Sequence, residues 1–220
     1  TNDGLASNYT ISSGQTTTAN ITAKALTVSG ITALDKGYDA NATSTLDTSL
    51  INYGGLVSGD TLTGTYSGVF DNANVGTGKT VTITSSYGGI DVNNYTITDQ
   101  ASTTADVTAR ALTATASAAN KTYDASDTAT TTLTLSGFIG TETVTSTNSS
   151  TFNDKNVGTG KSVTVNSITL ADGTGLAANY SISPGQTTTA DVTAKALSVS
   201  GITASNKTYD ATTTATLNTG

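Results

Sequence analysis

Gly76-Thr77-Gly78-Lys79-Thr80-Val81-Thr82-Ile83-Thr84 is the stretch that decides the fold. In its second half Val81 and Ile83 fall on one side of an extended chain, and Thr80, Thr82 and Thr84 on the other. A period of two marks a strand with one face in a core and one in water. A near copy, Gly158-Thr159-Gly160-Lys161-Ser162-Val163-Thr164-Val165-Asn166, follows 82 residues later. Tyr95/Ile97, Leu133/Leu135 and Val107/Ala109 alternate in the same way, and glycine-rich segments such as Tyr53-Gly54-Gly55 separate the runs. The pattern predicts an all-β chain of sandwich or small-barrel domains.

The copying extends over the whole chain. Asp35-Lys36-Gly37-Tyr38-Asp39 returns as Asn120-Lys121-Thr122-Tyr123-Asp124 and as Asn206-Lys207-Thr208-Tyr209-Asp210, with the tyrosines 85 and 86 residues apart. Asn8-Tyr9-Thr10-Ile11, Asn94-Tyr95-Thr96-Ile97 and Asn179-Tyr180-Ser181-Ile182 keep the same beat. Two markers with one period define a tandem array, and a unit of about 85 residues is long enough for its own core.

Composition narrows the function classes. Cysteine, methionine, histidine and tryptophan are absent, and Glu142 and Pro184 are single residues of their kind. Thiol chemistry, a zinc site built on Cys or His, and a serine–histidine triad are excluded. Net charge is −7, with no basic stripe, so nucleic acid is not an expected partner. No apolar run reaches membrane-spanning length. Ser and Thr make up about a third of the 220 residues and alternate with Val, Ile, Leu and Tyr, which suits a pleated, half-buried surface.

The parity of the apolar positions locates the seams. Ile21, Ala23 and Ala25 are odd-numbered, whereas Leu26 and Val28 are even. The slip recurs from Val107, Ala109 and Ala111 to Leu112 and Ala114, and from Val192, Ala194 and Ala196 to Leu197 and Val199. A strand keeps one parity per buried face, so each slip marks one core ending and the next beginning; a β-bulge within one strand is the rival reading. The expected division is 1–25, the end of a preceding repeat; 26–110 and 111–196, two complete domains; and 197–220, the start of a following repeat. The chain thus reads as a window on a longer array, with a short, stiff connection between domains. Length differences between the units fall in two places: Tyr38 to Gly55 spans 17 residues against 14 from Tyr123 to Gly137, and Lys79 to Tyr95 spans 16 against 19 from Lys161 to Tyr180. These predict variable surface loops at 41–53, 85–93, 126–132 and 166–178.

Candidate sites are few. The recurrent pairs Tyr38-Asp39, Tyr123-Asp124 and Tyr209-Asp210 read as a fold signature, with the ring capping the core and the carboxylate bonding amides of the next turn. Gly78-Lys79-Thr80 and Gly160-Lys161-Ser162 lack the earlier glycine of a phosphate loop, having Ala73 and Lys155 there; a glycine-assisted hairpin turn is the better account. Asp71/Asn72 and Asn153/Asp154 are the candidate calcium loops, and no other cofactor is expected. Tyr53 and Tyr87 are the loop aromatics available to a ligand. No catalytic residue is expected, because the acids are scattered in turn-like contexts. The eight Asn-x-Ser/Thr sequons stand near the count chance would give.

Taken in order, these motifs name a family. Lys-x-Tyr-Asp, Gly55-Leu56-Val57-Ser58-Gly59-Asp60, the Phe70–Lys79 and Phe152–Lys161 segments, Asn-Tyr-(Thr/Ser)-Ile and Thr-Thr-Ala-Asp-Val-Thr together resemble the YDG repeat domain, a relative of the "mostly beta, glycine-rich" domains. Ala40 and Ala125 stand where that family often has glycine, and Ala23, Ala109 and Ala194 near a frequent proline. The resemblance implies filamentous-haemagglutinin-like bacterial surface proteins, exported through an outer-membrane secretion partner to the cell surface, with no catalytic residue. The fold expected is tandem immunoglobulin-like β-sandwiches, with a β-grasp-like or other small β-fold as the alternative. The role expected is an adhesin stalk that projects a distal binding region, with neighbouring repeats as its partners. The alternative role is a module that binds host or matrix glycans, proteins or a fibre through the variable loops.

Overall fold

A computed structural model describes residues 4–218. The chain is all-β and divides into two compact units, Thr1–Thr108 and Ala109–Gly220.

The first unit carries β1 (Lys24–Ser29), β2 (Thr32–Ala33), β3 (Lys36–Gly37), β4 (Thr43–Ser44), β5 (Leu46–Asp47), β6 (Asn52–Gly54), β7 (Thr63–Phe70), β8 (Gly76–Gly88), β9 (Tyr95–Thr98) and β10 (Ser102–Thr108). One sheet has the order β6-β1-β9 and a second the order β3-β10-β8-β7-β4; β2 and β5 form a separate short pair. The alternation of β8 turns Val81 and Ile83 inward and leaves Thr80, Thr82 and Thr84 in water. Leu26 and Val28 of β1, with Tyr95 of the neighbouring β9, meet Ile83 of β8 across the gap between the sheets, and Leu46, Tyr53, Leu56, Tyr66 and Ile97 pack around them. That face-to-face packing of two inner faces is a sandwich core.

The second unit repeats the plan with β11 (Arg110–Ala111), β12 (Thr113–Ala118), β13 (Lys121–Thr122), β14 (Thr128–Ala129), β15 (Thr131–Ser136), β16 (Val144–Phe152), β17 (Gly158–Asp172), β18 (Tyr180–Ser181) and β19 (Thr187–Thr193). Its large sheet runs β13-β19-β17-β16-β14, matching the first unit strand for strand. Phe152, Val163 and Val192 anchor its core. Beyond it, β20 (Thr203–Ala204) and β21 (Leu217–Asn218) pair as β2 and β5 do.

Alternation does not reveal two parallel pairings in each unit. β1 runs parallel to β9, and β3 parallel to the last strand β10; β11 pairs with β18, and β13 with β19, in the same way.

All four expected loops contain strand. Residues 85–88 belong to β8 and residues 166–172 to β17; β4, β5 and the start of β6 fall within 41–53, and β14 and the start of β15 within 126–132. The longer β17 takes up its extra residues by extending the hairpin and by a register shift between Ser149 and Ser150. A bulge absorbs an extra residue without losing the pairing on either side. The missing residues at 126–132 act differently. In the first unit a turn closed by Ile51 N–H donating to the Thr48 carbonyl at 3.1 Å separates β5 from β6. The second unit has one continuous strand there, β15.

At the seams, Val107 is buried in the first unit and Leu112 in the second, with Arg110 and Ala111 exposed between them. Val192 is buried, while Leu197 and Val199 beyond it are exposed. Ile21 is exposed and Leu26 fully buried.

Candidate functional site

The Lys-x-Tyr-Asp segment builds the same turn three times. Asp39 Oδ1 accepts the Asn41 N–H at 2.9 Å, Asp124 Oδ1 the Ser126 N–H at 2.9 Å, and Asp210 Oδ1 the Thr212 N–H at 3.0 Å. Between the partners sit Ala40, Ala125 and Ala211 with φ of 60°, 67° and 58°. This is the left-handed region, where a Cβ crowds the carbonyl, and it explains why the resemblance calls for glycine. The left-handed conformation costs a residue with a Cβ about 1–2 kcal/mol, and glycine's greater freedom when unfolded takes back about half of that. Ala40→Gly and Ala125→Gly are therefore each expected to stabilise their own repeat by about 0.5–1 kcal/mol, measured by urea denaturation.

The lysine of each segment closes the turn from inside. Lys36 Nζ lies 2.7 Å from Asp39 Oδ1 and donates to the carbonyls of Asn41 and Thr43 at 2.8 and 3.2 Å, with the Phe70 ring 6.0 Å away. Lys121 repeats this with Asp124 at 2.8 Å, the Ser126 and Thr128 carbonyls, and Phe152 at 5.7 Å. An ammonium has three donors and no acceptor, and these cages give it three oxygens. Tyr38 is buried at 5% exposure and Tyr123 packs partly buried on its core, whereas Tyr209 is 90% exposed. The turn is thus local, and it forms whether or not its tyrosine is buried.

The candidate calcium loops hold a second caged lysine. Lys79 Nζ lies 2.7 Å from Asp71 Oδ1 and 2.9 Å from Asn72 Oδ1. Lys161 pairs with Asp154 and donates to the Asn156 carbonyl at 2.7 Å. The oxygens a cation would use face an ammonium. Among the described residues no group of three acidic side chains converges. Gly78 and Gly160 lie inside β8 and β17 rather than at a hairpin tip, and their N–H groups donate to Asp106 and Asp191, each at 2.7 Å.

These pairings set a pH dependence. The Lys121 ammonium holds the Asp124 carboxyl below its ordinary value, as Lys79 does for Asp71, Lys161 for Asp154 and Lys207 for Asp210. Burial pushes Asp39 up, but Lys36 and the Asn41 N–H outweigh it and leave it lowered. A depressed folded pKa means that the folded state binds fewer protons, so the stability it contributes is present above the unfolded value of 3.8 and is lost as pH falls through the folded value. Denaturation midpoints are expected to hold between pH 7 and 5 and to fall below about pH 4.

Tyr53 and Tyr87 are not loop residues. Tyr53 lies in β6 and Tyr87 in β8, both packed against the core. The Tyr53 and Tyr66 hydroxyls meet at 2.8 Å, Tyr87 donates to Asp99, and the Tyr66 and Tyr87 rings stack edge-on at 6.0 Å. Burial pushes the Tyr66 and Tyr87 hydroxyls up, and their hydrogen bonds to Tyr53 and Asp99 add to it. Their alternate-residue placement on the inner faces is the signal for this.

A further pair escapes a reading of sequence alone. Tyr95 donates to Asp60 at 2.6 Å and accepts the Val57 N–H at 2.9 Å; Tyr180 donates to Glu142 at 2.6 Å and accepts the Ile139 N–H at 3.2 Å. The available clue is the common offset of Asp60 from Gly55 and of Glu142 from Gly137. In the second unit Leu133, Leu135 and Phe138 line an open groove of about 480 Å³ with Val144 and Ser146.

Comparison with known proteins places these features in a family. No curated protein and no solved structure matches the chain. The sequence pattern of the YDG domain matches twice, over residues 22–105 and 108–190.

Proposed function

The chain belongs to the YDG domain family, and from that premise we propose that its repeats are the stalk of a secreted bacterial surface adhesin, holding a distal binding region away from the cell. The observation that carries this is the joint between repeats: β10 ends at Thr108 and β11 begins at Arg110, leaving one residue between the strands of successive domains. So short a connection favours stiff spacing over a flexible tether. The charged side chains of the repeated turns are spent on one another, which suits a structural role rather than a catalytic one. The partners on this reading are neighbouring repeats, with an outer-membrane transporter for export and the extracellular bacterial surface as the place of action.

Small-angle scattering on chains of two, four and six repeats tests it. The maximum dimension is expected to grow in proportion to repeat number; growth as the square root would overturn the stalk reading. The groove beside Leu133, Leu135 and Phe138 favours a second reading, in which the second repeat binds a host or matrix glycan or protein. Glycan-array binding lost on Phe138→Ala would support it.

A further inference from the structure

We infer that each repeat is built to bear tension along the chain, and that the Lys-x-Tyr-Asp segment is its mechanical latch. In a parallel pair, the start of one strand and the end of the other lie at opposite ends. The chain enters the first repeat through β1, parallel to β9, and leaves through β10, parallel to β3. Pulling on entry and exit therefore slides β1 along β9 and β10 along β3. The hydrogen bonds lie across that motion and share the load, so several must break together. An antiparallel hairpin pulled open from its free end breaks its bonds one at a time.

The latch is fastened at the exit. Tyr38 N–H donates to the Thr108 carbonyl at 2.9 Å, Thr108 Oγ1 to the Lys36 carbonyl at 3.3 Å, and Asp106 N–H to Asp35 Oδ1 at 2.7 Å. The second repeat has the same three bonds: Tyr123 N–H to the Thr193 carbonyl at 2.8 Å, Thr193 Oγ1 to the Lys121 carbonyl at 3.3 Å, and Asp191 N–H to Asn120 Oδ1 at 2.7 Å. The carboxylate becomes an amide, yet the acceptor oxygen is kept. The motif thus sits where shear is greatest, one side tied to the last strand and the other to its own lysine-caged turn. That load acts in life rests on the stalk reading; the latch itself does not.

Single-molecule pulling tests this in the whole chain, which has no cysteine of its own. Ala23→Cys with Ala109→Cys loads the first repeat through its ends; Thr65→Cys with Ser86→Cys loads facing residues near the free end of the β7–β8 hairpin. Unfolding releases roughly 290 Å of chain between positions 23 and 109, but only about 70 Å between positions 65 and 86. The end-loaded force is expected to be about threefold higher, because forced unfolding reads the barrier along the pulled direction. Asp35→Ala is expected to lower the end-loaded force and leave the hairpin-loaded force unchanged. Equal forces along the two directions, or an equal loss in both from Asp35→Ala, would overturn the latch. Neither outcome bears on scattering by the array, so the latch and the stalk reading stand or fall separately.

Discussion

Gly30→Ala is expected to unfold the first repeat while the second stays folded. Gly30 has φ +86°, and a Cβ built on it would lie 2.1 Å from the Leu50 carbonyl oxygen. Two penalties combine: a left-handed backbone, and a clash with backbone that no rotamer relieves. The combined cost is on the order of 4 kcal/mol or more, a large share of a small domain's stability. The first repeat holds Tyr38, Tyr53, Tyr66, Tyr87 and Tyr95, against Tyr123 and Tyr180 in the second. Near-ultraviolet circular dichroism should therefore lose most of its tyrosine signal, while far-ultraviolet dichroism keeps a cooperative transition from the second repeat. A wild-type near-ultraviolet spectrum in the variant would refute this. The constraint belongs to the first repeat alone, because the 48–51 turn that brings Leu50 against Gly30 has no counterpart before β15.

Leu26→Ala is expected to cost about 3 kcal/mol and to lower the melting temperature of the first repeat by roughly 15 °C. Leu26 is fully buried between the sheets, against a shell of large side chains that cannot collapse onto the hole. The matching Leu112→Ala should cost nearer 2 kcal/mol. Leu112 keeps 6% exposure, and β12 follows it with Ala114 and Ala116 where the first repeat has Val28 and Ile31. Urea unfolding followed by tyrosine fluorescence for the first repeat, and by far-ultraviolet dichroism for both, separates the two effects. Equal losses would mean that the alanine-lined strand is packed as tightly as its counterpart.

The strands were legible because burial on one face writes itself into alternate residues. Val81 and Ile83, Val163 and Val165, and Ala105 and Val107 all turn inward as their spacing requires. The repeat was legible because two markers shared one period. Tyr53 and Tyr87 misled because neighbouring glycines and a length difference suggested loops; a long hairpin and a bulge took up the difference within the sheet. The pairing of Tyr95 with Asp60, and of Tyr180 with Glu142, was out of reach because the partners lie 35 and 38 residues apart and differ in acid between repeats.

What the sequence determined by itself is local: which faces are buried, and the Lys-x-Tyr-Asp turn. That turn forms again at Lys207–Asp210 with an ion pair of 2.8 Å, although Tyr209 is exposed there. Its hydrogen bonds span two to seven residues, so near neighbours along the chain suffice to specify it. The tertiary structure decided the rest: the parallel pairing of first and last strands, the burial of Tyr38, and the contact of Asp35 with Asp106 across 71 residues. Those depend on the closure of two sheets around one core, and no short window of sequence contains both sides of it.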